Sequence, residues 1–328
     1  MMPFFHGALY PSKNLIGIDA GAYSTKIVWL KGGGAGSYRL KSAFYARSPA
    51  DKNAGFLRAI ANAQRLTGKK VATVLYGPEL LVRRITLPPM PDKDLREAVK
   101  WEIRKESAIP ADELVCDYVV PDDKASEGLL SIIAFAARRG AVDGIMSEFK
   151  SAGVEVRVVE TVPTALLSSF DANNVWEEGV NYAFIDIGLT ASTLAIFKNR
   201  KLVFVREMAF GGAEITGALS SETGKNEDEC DEIKASCSLE KGVAPFAVVA
   251  KFIERLCSDI HRSFEYYQAQ YRGGQVDRLF LSGGTARMKH IDGFMTETLG
   301  IPAFADDPLR KTKGVLPPLG VSPSSTEE

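Results

Sequence analysis

The feature that most constrains this chain is a hairpin that occurs twice. Residues 16–30, IGIDAGAYSTKIVWL, superpose on residues 183–197, AFIDIGLTASTLAIF, at an offset of 167 positions in a chain of 328. Asp19 falls on Asp186, Gly21 on Gly188, Ile18 on Ile185 and Thr25 on Ser192. Solenoid repeats recur every ~20–50 residues, so a period this long excludes them. It demands two similar lobes, each opening on strand, turn and strand, with Asp-x-Gly in the turn. One such turn means little, because Asp and Gly favour hairpin turns on conformational grounds alone. Two of them, each heading its half, call for a shared chemistry.

Residue types suggest what that chemistry is. A glycine turn lets a ligand approach the backbone, and its exposed amides form a nest for an anion such as phosphate. A carboxylate beside phosphate repels it unless a cation lies between them. Mg²⁺ suits that place, since it takes one or two carboxylates together with phosphates and waters. Asp19 and Asp186 are therefore the candidate Mg²⁺ residues, acting through water. Lys26 either adds positive charge near the phosphates or is an ordinary strand lysine. A third turn, LSGGTAR at 281–287, places Gly283 and Gly284 where adenine or ribose would lie against bare backbone; its plainer reading is a strand-to-helix turn.

Hydrophobic periodicity organises the rest. Strands are expected at 14–19, 25–30, 37–46 and 70–76, with a helix at 53–67. A β-α-β-β-α block, 78–152, then intervenes. Its helix, 92–107, has Leu95, Val99, Trp101 and Ile103 on or near the buried side. A strand at 153–159 and a helix at 160–171 close the first half. The second half reads as strands 182–187, 192–198 and 201–207, helices 211–223, 226–236 and 247–272, a strand 278–284 and a helix 290–299. Residues 1–13 read as a flexible arm, and the Pro- and Ser-rich end, 317–328, as a disordered tail.

Composition excludes several classes. The formal net charge of −1 gives no support for nucleic-acid binding. The four cysteines form no C-x-x-C pair, and the three histidines are far apart, so neither zinc nor a disulfide scaffold is indicated. No apolar run reaches the ~18 residues of a transmembrane helix. The run Gly32–Gly36 fails as a dinucleotide fingerprint, Gly68-Lys69 and Gly224-Lys225 fail as P-loops, and no G-x-S-x-G elbow exists.

Taken in order, the D-x-G hairpin, the insertion, the second D-x-G hairpin, GGAEIT at 211–216 and SGGTARM at 282–288 resemble the actin-like ATPase superfamily, and within it the PilM family of type IV pilus assembly proteins. The stretches LPPMPDKDLREAVKWEIRKESAIP and CDEIK add to the likeness, which covers most of 14–309. The resemblance implies an α/β, two-lobed actin-like ATPase fold built from duplicated ribonuclease-H-like domains, with ATP and Mg²⁺ in the cleft. The first lobe would hold 14–77 and 153–178, an inserted subdomain like that of FtsA 78–152, and the second lobe 179–316.

The resemblance assigns Asp19, Gly21, Ser24, Thr25 and Lys26 to the first phosphate loop, and Asp186, Gly188 and Thr190 to the second. Gly211, Gly212, Gly283 and Gly284 would line the nucleotide, with Asp231 and Lys234 near the nucleoside. The family's usual acid there is Glu, so Asp231 is a departure, and the short, irregular stretch 311–328 departs from the strand and helix with which related chains commonly end. Glu160, in the crossover, is the candidate water-positioning residue, or else a solvated acid at a helix N-terminus.

The implied function is a cytoplasmic ATP-binding scaffold, at most a weak Mg²⁺-dependent ATPase. It would dock the N-terminal cytoplasmic peptide of a PilN-like inner-membrane protein, meet the pilus motor ATPases, and touch the membrane only through partners. The alternative is a small-molecule kinase of the same superfamily.

Overall fold

The computed structural model describes residues 14–32, 38–49, 54–77, 80–107, 109–121, 128–240, 247–271 and 274–311. The expected N-terminal arm, most of the Gly32–Gly36 run and the tail lie outside the described residues. The chain divides into two compact units, residues 1–120, 124–174 and 308–328 in one and 121–123 and 175–307 in the other.

The first unit opens with β1 (Asn14–Ala20), β2 (Ser24–Gly32) and β3 (Tyr38–Arg47), followed by α1 (Ala54–Ala63) and β4 (Lys70–Leu75). β5 (Leu80–Leu87), α2 (Asp92–Glu106), β6 (Leu114–Val119), β7 (Leu130–Arg138) and α3 (Arg139–Ser151) form the inserted block, before β8 (Glu155–Thr161) and α4 (Val162–Asn173). The main sheet has the order β3-β2-β1-β4-β8. Its first three strands are antiparallel neighbours, which need only tight turns, whereas β4 and β8 join in parallel and need helical crossovers.

The second unit repeats this plan. β9 (Asn181–Ile187), β10 (Ser192–Lys198) and β11 (Lys201–Met208) lead to α5 (Gly212–Thr223), α6 (Glu227–Ser236) and α7 (Ala247–Tyr271). β12 (Arg278–Ser282), α8 (Ile291–Leu299) and β13 (Ala303–Ala305) follow. The order β11-β10-β9-β12-β13 matches the first sheet strand for strand, with the same antiparallel and parallel partners. The hairpin repeat is thus the visible part of a whole-sheet duplication.

Side chains alternate across β9 and bury both faces. Ala183, Ile185 and Ile187 pack with the α7 stripe Val249, Ile253, Leu256 and Ile260. On the opposite face Tyr182 meets Trp176 edge-on at 4.9 Å, and Phe184 stacks on Phe280 at 5.3 Å. Asp186 terminates this aromatic row.

The inserted block is a three-stranded sheet, β5-β7-β6, crossed on one face by α2. Leu95, Val99 and Ile103 pack on Ile132, Ala134 and Ala136 of β7.

Three expectations require correction. Trp101 is not inward: it is 56% exposed, because it lies two residues from both Val99 and Ile103, about 200° around the helix from each. The strand expected at 153–159 runs to Thr161, so Glu160 is a strand residue and α4 starts two residues later than anticipated. The helix expected at 53–67 stops at Ala63, where Arg65 and then Gly68 take left-handed conformations. β13 escaped notice, since three residues carry no readable period.

Candidate functional site

The first loop hangs between β1 and β2. The strand register places Asp19 opposite Lys26, and Lys26 Nζ donates to Asp19 Oδ2 at 2.8 Å. The other oxygen, Oδ1, is buried and has no hydrogen-bond partner. A Cβ on Gly21 would stand 2.9 Å from the Ser24 carbonyl and 3.4 Å from both Asp19 Oδ1 and Tyr76 Oη, so only glycine leaves that niche open. Tyr76 Oη donates to the Ala20 carbonyl at 2.9 Å, and Ser48 Oγ to that of Gly21 at 3.1 Å. Ser24 and Thr25 are buried at the head of β2.

The second loop has the same geometry in its own unit. Gly188 N–H donates to the Ala191 carbonyl at 3.0 Å, which also stands 2.8 Å from a would-be Gly188 Cβ. Leu189 and the exposed Thr190 form the tip, and their amides donate to no group among the described residues. Asp186 Oδ1 accepts from Ser282 Oγ at 3.0 Å, a contact set by the parallel register of β9 and β12.

Two glycine turns close on this loop. Gly211 lies so near it that a Cβ would fall 2.3 Å from the Leu189 carbonyl, and one on Gly283 would fall 2.4 Å from that of Ile187. Gly283 has φ +90°, so both space and conformation call for glycine. Gly284 has open space around it. Gly212 N–H donates to the Gly188 carbonyl at 2.9 Å at the start of α5.

Asp231 and Lys234 meet on α6, with Lys234 Nζ 2.9 Å from Asp231 Oδ1. Both are largely buried and both bind Thr216, at 2.8 Å and 2.7 Å, while Lys234 also donates to the Gly212 carbonyl at 3.3 Å. This triangle ties α6 to the first turn of α5. Thr216 was not anticipated, although it is the terminal residue of GGAEIT.

Glu160 sits on β8, one residue before the Thr161–Thr164 capping box that begins α4. Burial raises its carboxyl pKa, and a hydrogen bond from the Thr164 side chain opposes that rise. It is therefore not the solvated helix-terminal acid of the alternative reading.

The first unit also holds an apolar pocket between the small sheet and the ends of β4 and β8. Leu75, Leu80, Val115, Cys116, Phe135 and Thr161 line it. Burial pushes the Cys116 thiol up to about 11, and the Lys100 charge opposes that rise. Asp117 adds a buried carboxylate 3.5 Å from Arg96.

The donor set suits Mg²⁺. Among the described residues no group of three or more His, Cys, Asp or Glu could hold a metal unaided. Mg²⁺ needs no such cage when phosphates supply the remaining oxygens, and the orphaned Oδ1 of Asp19 is a hard donor of the right kind.

A sequence model of the family described as type IV pilus assembly protein PilM matches residues 17–314. Among solved structures, the fold is similar to a PilM-PilN type IV pilus biogenesis complex, at TM-score 0.79 and 23% identity over 91% of this chain and 89% of that one. It is also similar to the ethanolamine utilization protein EutJ from Carboxydothermus hydrogenoformans, at TM-score 0.54 and 15% identity over 92% and 88%. The architecture is the expected one, an α/β fold of two actin-like units.

Proposed function

Since the chain belongs to the PilM family of type IV pilus assembly proteins, we propose that it is a nucleotide-binding scaffold that docks the short cytoplasmic N-terminal segment of a PilN-like inner-membrane protein. The observation that carries the docking is the apolar pocket framed by Leu75, Val115 and Phe135. The recess is small, about 10 Å³, so a peptide side chain would enter by parting its apolar walls, beside an Asp117 carboxylate that Arg96 already engages. No helix among the described residues is long and apolar enough to cross a membrane, so the proposed partner supplies attachment to the inner face of the inner membrane. The pilus motor ATPases are the proposed further partners. The family match does not favour the small-molecule kinase.

The nucleotide we propose is ATP with Mg²⁺. When bound, Mg²⁺ would neutralise phosphate charge beside the carboxylates. Asp19 and Asp186 would hold it through water, the amides of Leu189 and Thr190 would donate to phosphate, and Gly211, Gly212, Gly283 and Gly284 would leave room for the nucleoside. Glu160 is the proposed water-positioning residue. A carboxyl whose pKa is raised by burial is poised for proton exchange, and catalysis of phosphoryl transfer rests mainly on such positioning and electrostatics.

Cys116 reports on the pocket. A thiol with pKa about 11 is alkylated slowly at neutral pH, with a rate that climbs about tenfold per pH unit. Saturating the chain with the N-terminal peptide of the PilN-like protein should slow that labelling at least ~10-fold. This follows if bound peptide covers the pocket with a micromolar-class Kd. Peptide binding with unchanged labelling would place the docking site elsewhere.

A further inference from the structure

The outward face of α2 carries an ordered charge pattern that the docking pocket does not use. Trp101 lies at its centre, 56% exposed and far larger than a solvated helix position requires. Asp94 and Glu97 precede it by seven and four residues, while Arg104 and Lys105 follow by three and four. These spacings put all five on one face, opposite the buried Leu95, Val99 and Ile103. The face therefore reads acid, acid, Trp, base, base along the helix. The Arg104 guanidinium lies 5.3 Å from the Trp101 ring centroid and the Lys105 ammonium 6.0 Å, so the ring already carries cations on its C-terminal side.

A pattern that reverses sign about its midpoint is complementary to itself under a two-fold axis. We propose that this face is an interface with a second copy of the chain, α2 packing antiparallel on α2 about an axis at Trp101. Glu97 of one copy then faces Arg104 and Lys105 of the other, twice over, and the two Trp101 rings meet at the centre. Trp and Arg are the residue types that dominate protein contacts. An anionic lipid surface fits less well, because Asp94, Glu97, Glu102 and Glu106 interrupt the bases and membrane-binding stretches cluster four or more bases. The contacts that compete are surface pairs, Lys105 with Glu102 at 2.7 Å and Arg83 with Glu106 at 3.6 Å, which exchange readily. The exposed Lys93 on the flank works against the pairing and is outnumbered. A 15-residue helix is ~22 Å long and offers well under the ~800 Å² per partner of a standard interface, so the dimer is weak and salt-sensitive.

Sedimentation velocity of the full chain over a concentration series, at low and high salt, tests this. Reversible dimerisation that weakens with salt is expected, and Trp101→Ala should weaken it at least ~10-fold, as loss of a hot-spot residue does. Asp94→Lys with Glu97→Lys should abolish self-association, as should Arg104→Glu with Lys105→Glu, and mixing the two variants should restore it as a heterodimer. Circular dichroism melts confirm that each variant is folded. A chain that stays monomeric throughout overturns the proposal, as does a dimer indifferent to these changes. So does a Trp101 fluorescence shift on phosphatidylglycerol vesicles under monomeric conditions, with the Trp101→Phe chain as the blank.

Discussion

Lys26 Nζ bonds one oxygen of Asp19 at 2.8 Å and leaves the other buried without a partner. The duplication shows what is particular here. The residue opposite Asp186 is Thr193, and Asp186 takes its bond from Ser282 instead. The two carboxylates occupy equivalent strand positions but have different neighbours, so the same turn has been adapted in two ways.

The Asp19–Lys26 pair is half-exposed, with side chains 37% and 48% accessible, so its direct effect on stability is within ~1 kcal/mol. Its proposed role lies in ligand binding. Asp19→Asn should leave the melting temperature nearly unchanged and weaken ATP binding at least ~10-fold in Mg²⁺, about 1.4 kcal/mol, with little effect in EDTA. Isothermal titration under both conditions measures this, and equal losses with and without Mg²⁺ would count against a metal role.

Adjacent glycines offer a control. Gly283→Ala forces a Cβ to 2.4 Å from the Ile187 carbonyl at φ +90°, which should cost more than ~2 kcal/mol in urea unfolding. Gly284→Ala meets nothing within 4 Å at φ −64° and should be near neutral. Equal costs at both positions would contradict the turn geometry.

Thr216 joins Asp231 and Lys234 through one hydroxyl. Thr216→Val keeps the shape and removes that oxygen, leaving two largely buried charges with one partner fewer. The expected loss is ~1–3 kcal/mol, with α6 loosened first. Hydrogen exchange of the α6 amides reads this directly; unchanged protection would show that the triangle holds nothing together.

Glu160 sets a pH dependence. Burial raises its pKa in the folded chain, so the native state holds the proton more tightly than the unfolded state does. The stability it contributes is full below the ordinary glutamate pKa and is lost as pH rises through the folded value. Glu160→Gln should therefore match the parent in acid and melt higher at neutral pH. A melting difference that grows toward low pH would reverse this assignment.

Much of this architecture was legible in the residues because its signals are local. The stripe Val249, Ile253, Leu256, Ile260 placed α7, and Asp-x-Gly between apolar runs placed both hairpins. Trp101 was within reach of the same reasoning, since residues two apart cannot share a helix face. Ser282 and Tyr76 were not. Each acts on a strand or loop distant in sequence, Ser282 on Asp186 and Tyr76 on Ala20, and sheet pairing alone brings them there.

By itself, then, the sequence determined the duplication and the glycine turns, because a hairpin is specified by neighbouring residues. Tertiary structure decided how each turn is used. Parallel pairing of β9 with β12 put a hydroxyl on Asp186, while the antiparallel register of β1 with β2 put an ammonium on Asp19. Extension of β8 through Thr161 left Glu160 half-buried on a strand. Those outcomes depend on contacts across a sheet, and the energy of such contacts is invisible to any window sliding along one strand.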